Sequence, residues 1–176
     1  MKKLIIVIFF FSYFTTYSQE KTAPDFKKDE LKGNALFLVL GAVEVSYERI
    51  LNEDTGLGVS VFFVAEDDFE TSFSFTPYYR AYFGKKTAAG FFVEGFSMLS
   101  TGKNGTYSQY DSVNQNYYTV EGERYSDFAL GFGLGSKWIH KKGYVFEINA
   151  GIGRNLLSKS SPEVVGRGGV TLGYRF

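Results

Sequence analysis

The chain has 176 residues, and its 19 basic residues balance 19 acidic ones, so it carries no net field of the kind that gathers nucleic acid. It contains no cysteine, which excludes a disulfide framework, thiolate metal sites and a lipid-modified cysteine anchor. Phe and Tyr number 19 and 13, Gly 20 and Pro only 3, and no segment beyond the N-terminus keeps a helical apolar period, so the composition specifies an all-β chain.

In chain order, Met1-Lys2-Lys3 precedes an apolar run over 4–14 and then Thr16-Tyr17-Ser18. A basic start, a run too short to cross a bilayer as a helix, and small residues before a cut after Ser18 make 1–18 a cleaved secretory signal peptide. Residues 19–33 follow as a short periplasmic segment, too short for a peptidoglycan-binding domain. Residues 34–176 then divide into eight alternating segments. The first is 34–40, which Gly41-Ala42 reverses into 43–51. The turn cluster 52–56 leads to 57–65, and Glu66-Asp67-Asp68 separates this from 71–83, where Pro77 removes a ladder donor and predicts a bulge. Gly84-Lys85-Lys86 turns the chain into 88–99. A polar stretch over 100–124 precedes 125–138, the turn 140–143 leads to 144–154, and 155–163 leads to the last strand, 164–176.

The strands are two-sided. Phe73, Phe75, Pro77, Tyr79 and Ala81 share one face and Ser74, Thr76, Tyr78, Arg80 and Tyr82 the other; Phe128, Leu130, Phe132, Leu134 and Trp138 oppose Asp127, Gly131, Gly133, Gly135 and Lys137. Apolar bulk on one face with glycine and charge on the other is the pattern of a barrel turned inside out. A mean hydropathy of −0.11 does not conflict with it, because such a wall meets lipid only at every second residue. An even strand number puts both termini, and the compact turns at 52–56, 84–87 and 140–143, in the periplasm, with 100–124 outside. Trp138, Tyr144 and Tyr174 fall beside the periplasmic ends, where an interfacial girdle belongs. Glu48, Glu94 and Glu147 with Arg80, Lys137 and Arg175 fall on the inward face. Eight strands leave an interior only wide enough to be filled by side chains, so these six are expected to pair as a lumen charge network rather than to line an ion path. Gly131-Phe132-Gly133-Leu134-Gly135 is no nucleotide fingerprint, since its sixth position is Ser136, inside a strand.

Asn34, Gly41-Ala42 and Tyr47-Glu48-Arg49, together with the strand pattern from about Lys32 onward, resemble the small eight-stranded outer-membrane barrels of the OmpA and OmpX kind, and more closely an uncharacterised group of Gram-negative barrel proteins. The end of the chain resembles an outer-membrane assembly signal, carried by Val170, Leu172, Tyr174 and Phe176, with Gly168 departing from the pattern. The resemblance implies delivery to the barrel-assembly machinery. The expected fold is an eight-stranded antiparallel up-and-down transmembrane β-barrel, with outer-membrane lipid and lipopolysaccharide as its surroundings. The expected protein is monomeric, with no catalytic residue, no cofactor and no metal. Tyr107, Tyr110, Tyr117 and Tyr118 make the external loop 100–124 a contact surface for an extracellular partner, and Asp111-Ser112-Val113 resembles a bacterial O-glycosylation triplet. Two alternatives compete. A lipid-modifying barrel enzyme needs an acid, serine and histidine constellation, yet the one histidine, His140, falls in a Lys-rich turn on the periplasmic side. A soluble lipocalin-like barrel binding a small apolar ligand would put the apolar faces inside.

Overall fold

A computed structural model describes residues 26–64, 69–103, 107–111, 116–120, 122–158 and 160–176; the signal peptide expected at 1–18 lies outside the described residues. Eight strands close into an antiparallel barrel. They are β1 (Asp29–Asn34), β2 (Ala42–Asn52), β3 (Thr55–Val64), β4 (Thr71–Tyr82), β5 (Gly90–Lys103), β8 (Arg124–Ile139), β9 (Tyr144–Asn155) and β10 (Val164–Arg175). β6 (Tyr107–Asp111) and β7 (Asn116–Val120) form a separate two-stranded ribbon in the connection from β5 to β8. Every wall strand thus pairs with its nearest wall neighbours in sequence, and β1 closes the ring by pairing with both β2 and β10. Closure through β1 pairs the facing edges of β2 and β10 over their turn-end halves, up to Val45 and Thr171. Compact turns at 53–54, 83–89 and 140–143 gather at one end, here the turn end. The longer connections, including the ribbon and 156–163, gather at the loop end.

The first strand is not where the sequence places it. Residues 34–40 do not form a strand: Ala35–Val39 is a short helix, α1, with Asn34 as its N-cap, whose side-chain oxygen accepts from the amides of Leu36 at 3.2 Å and Phe37 at 3.4 Å. A short continuous apolar run has no period to tell helix from strand, so Ala-Leu-Phe-Leu-Val reads as either. The wall begins instead at Asp29, in the polar run Asp-Glu-Leu-Lys-Gly-Asn, with Glu30, Lys32 and Asn34 inward and Leu31 outward. Pro77 makes no bulge either. Pairing with β5 lapses at Thr76 and Pro77, but Phe75↔Leu99 and Tyr78↔Phe96 keep one register, and Pro77 stays opposite Val59 on the other side. The lost donor costs a ladder bond without displacing the strand.

From the turn end to the middle of the wall the interior is filled. At the turn end Ile50, Tyr82, Ala88 and Phe92 pack together, with Phe26 against them, and the segment 83–89 folds over this cluster through the Ala88 amide, which donates to the Glu53 carbonyl at 2.7 Å. Toward the loop end Tyr78, Phe96, Met98, Ala129 and Val165 form a second cluster. Large side chains fit because glycines face them. A Cβ on Gly135 would lie 2.6 Å from Phe92 Cζ and 2.5 Å from the Ile148 carbonyl oxygen, whereas one on outward Gly95 would meet nothing within 4 Å. Gly135→Val is therefore expected to cost about 1–3 kcal/mol by overpacking, against about 0.5 kcal/mol or less for Gly95→Val, compared by denaturant midpoints of the two variants.

Outside, the wall is apolar. Leu57, Phe63, Phe73, Phe75, Leu130, Phe132, Leu134, Ile148 and Leu172 are all exposed, while Ser60, Ser74, Thr76 and the lumen charges are buried.

Candidate functional site

Alternation along the strands sends nine charged side chains into one buried network: Glu30 and Lys32 from β1, Glu48 from β2, Arg80 from β4, Glu94 from β5, Lys137 from β8, Glu147 from β9, and Arg167 and Arg175 from β10. Arg80 is its centre. Its guanidinium lies between the rings of Tyr78 and Phe92, at 4.4 and 4.3 Å from their centroids. Its Nε donates to Glu94 Oε2 at 2.8 Å and its Nη1 to Glu48 Oε2 at 2.9 Å and Glu147 Oε2 at 2.8 Å. Lys32 Nζ reaches the same two acids, Glu48 at 2.6 Å and Glu147 at 3.0 Å. Lys137 Nζ bridges Glu30 at 2.8 Å and Glu48 at 2.9 Å and donates to the Tyr82 hydroxyl, which in turn donates to Glu48.

Arg175 fastens this network to the turn end. Its Nε donates to Glu30 Oε1 at 2.7 Å, and its two terminal nitrogens donate to the carbonyls of Thr87 and Ala88, both at 2.9 Å. The segment that folds over the turn end is thereby held from inside the lumen.

Glu30, Glu48, Glu94 and Glu147 are each engaged by two or more bases. A buried charge is tolerable only in such company. The gap left beside Arg80 and Glu147 measures about 10 Å³, room for a single water at most. Chemically the arrangement is a plug in which five bases answer four acids and brace the strands from within.

The six charged residues expected to share the lumen all lie in this network. Glu30, Lys32 and Arg167 join them without having been singled out. The signal for Glu30 and Lys32 was the alternation Glu-x-Lys-x-Asn, hidden because charge at every second inward position reads as a solvated tail. Arg167 had the same parity as Arg175.

The four tyrosines expected to form a contact surface lie in the ribbon. Tyr110 and Tyr117 are cross-strand partners, both exposed, with ring centroids 5.0 Å apart. Tyr107 pairs with Val120 and Tyr118 with Gln109 along the backbone. Of the triplet Asp111-Ser112-Val113, the second and third residues lie outside the described ones. Three residues of the assembly pattern share the outward face of β10, Leu172 and Tyr174 exposed and Val170 half-buried, and the fourth, Phe176, is exposed just past the end of the strand. Tyr174 meets Tyr144 edge-on at 5.8 Å, and Trp138 lies 5.4 Å from Phe146, giving an aromatic band at the turn end. His140 is exposed in its turn, where Nδ1 accepts the Lys142 amide at 3.2 Å.

Two features of the loop end had no sequence reading. The Asp127 carboxylate accepts the amides of Leu157 at 2.9 Å and Ser158 at 3.0 Å and the Ser161 hydroxyl, clasping the connection 156–163 against β8. Beside that connection opens a cavity of about 370 Å³, with Phe37, Phe62, Glu44, Met98, Val165 and Arg167 among its lining residues.

Residues 4–162 match the family described as Protein of unknown function (DUF3575). That match takes in most of the chain, so the chain belongs to this family. No curated protein and no solved structure matches it.

Proposed function

We propose that this DUF3575 member is a plugged, non-catalytic barrel integral to the outer membrane, and that it holds the β6–β7 ribbon outside the cell as a contact surface. The observation that carries this reading is the inversion of the usual order of burial. Large apolar side chains cover the outside of the wall, with Phe132 at 69 % exposure, while nine charges are shut inside. In water such a wall would leave the apolar surface unburied at a cost of about 25 cal/mol for each Å², and a patch of that extent calls for a covering phase. A bilayer supplies one and accounts for the aromatic band at one rim. A soluble lipocalin-like barrel would need the opposite arrangement.

An even number of strands with both termini at the turn end supports an orientation for the proposed barrel. With the turn end in the periplasm, the ribbon, α1 and the cavity face outward. His140 then sits on the side away from the outer leaflet, which favours the non-catalytic reading over lipid modification. The outward face of β10 is the surface offered to the assembly machinery.

Fractionation joined to a heat-modifiability gel tests the proposal. The protein is expected in the outer-membrane fraction, migrating differently before and after boiling. Recovery in the soluble periplasm with no change of mobility would refute it. A variant in which a short Gly-Ser turn replaces 104–121 should keep the mobility shift, because the ribbon shares no ladder with the wall and loop length has little effect on stability. Loss of the shift would make the ribbon part of the fold rather than a surface mounted on it.

A further inference from the structure

At about 370 Å³ the loop-end cavity has the size of a small-molecule site, and its lining is chemically uneven. One wall is aromatic. Phe37 of α1 and Phe62 of β3 stand with centroids 5.1 Å apart and planes inclined at 65°; Phe62 and Phe69 follow at 5.9 Å and 69°. Successive rings set nearly at right angles turn a corner, so that a cation lodged there can meet more than one ring at once.

A carboxylate stands beside them. Glu44 is the cross-strand partner of Phe62, and its side chain lines the same cavity. It accepts hydrogen bonds from Asn34 Nδ2 at 2.6 Å and Ser60 Oγ at 2.5 Å. Both donors are neutral. Among the described residues Glu44 forms no ion pair, while each of the four acids below it is held by at least two bases. Asn34 positions both halves of the site: its oxygen caps the helix that carries Phe37, and its nitrogen orients Glu44. The cation in the lining, Arg167, is already answered by Glu94 at 3.0 Å and stacks on Tyr78 at 4.5 Å.

We propose that this cavity binds an amphipathic organic cation, an ammonium or quaternary ammonium head on a short apolar body. The head lies against Glu44 and the Phe37, Phe62 and Phe69 rings, and the body against Met98 and Val165. The occupant follows from complementarity: an unpaired carboxylate beside aromatic rings is the arrangement that selects a weakly hydrated cation, and Met98, Val164 and Val165 in the same lining give its apolar body a surface to lie on.

Calorimetric titration of the purified full-length protein in maltoside micelles, which carry no ammonium group, tests this with three probes of one chain length: hexyltrimethylammonium, hexanol and hexanesulfonate. Saturable binding of hexyltrimethylammonium is expected, at least tenfold tighter than either of the others. Glu44→Gln keeps an oxygen for Asn34 Nδ2 and turns its amide nitrogen toward the Ser60 hydroxyl, which can accept; it should weaken binding at least tenfold while preserving the heat-modifiable mobility, and Phe62→Leu should weaken it severalfold. If Glu44→Gln fails to fold, the order of the three probes on the unaltered chain decides alone. No saturable binding, equal binding of hexanol, binding unchanged in folded Glu44→Gln, or tighter binding of hexanesulfonate would each overturn the proposal, the last by making Arg167 the anchor of an anion site.

Discussion

Replacing Arg80 with methionine lowers the stability of the barrel by about 3–5 kcal/mol, the cost of removing one partner from a buried ion cluster. Among the described residues the guanidinium is the one group that touches Glu48, Glu94 and Glu147 together. Without it Glu94 keeps only Arg167, and Glu147 keeps Lys32 at 3.0 Å and Lys137 at 3.9 Å. Methionine fills much of the space between the Tyr78 and Phe92 rings, so the loss is electrostatic rather than a cavity. Lysine does not rescue it, because an ammonium has neither the separate Nε and Nη1 donors that meet Glu94 on one side and Glu48 and Glu147 on the other nor a flat face to lie between the two rings. The exposed pair Arg49–Asp29, at 2.8 Å, provides the contrast: Arg49→Met is expected to cost under about 1 kcal/mol. The difference between the two denaturant midpoints, followed by gel mobility, checks the claim that the lumen network braces the wall. Equal midpoints would reduce the network to decoration.

Phe132→Arg destabilises the protein in bilayers by about 2–4 kcal/mol, while Phe83→Arg costs about 0–1 kcal/mol. Both phenylalanines are exposed on the outer surface. Phe132 is at the middle of β8, whereas Phe83 follows the last residue of β4 at the turn end. A depth-dependent penalty is the mark of a hydrocarbon layer, since water would accept arginine at either height. Refolding titrations in vesicles measure it, and similar small effects at both positions would mean that the wall faces water.

Most of the wall was legible because its strands obey a period of two between unmistakable turns. Phe73, Phe75 and Tyr79 opposite Ser74, Thr76, Tyr78 and Arg80 gave both the strand and its sidedness, and the glycines at 131, 133 and 135 marked the space that Phe96, Glu94 and Phe92 occupy. Where the period failed, so did the reading. The run after Asn34 has no alternation, and its N-cap competed with a strand; the polar run before it carries charge where a soluble strand would carry hydrophobes. Misplacing that one strand concealed Glu30 and Lys32, two of the nine charges of the network. The polar segment 100–124 hid a ribbon because Tyr110 and Tyr117 stabilise it by pairing across strands, which one strand's pattern does not reveal. The clasp at Asp127 and the cavity beside Glu44 depend on contacts between residues far apart in sequence, and no local pattern encodes them.

The central claim is that the outer face of the wall meets lipid, and the chain contains its own probe. Trp138 is the one tryptophan in the sequence, 52 % exposed on the outer surface within the aromatic band. In vesicles of phosphatidylcholine brominated on the acyl chains, its fluorescence should be strongly quenched, more by bromines near the headgroups than by bromines at the bilayer centre, while aqueous iodide has little effect. Quenching by iodide with none by brominated lipid would contradict the account.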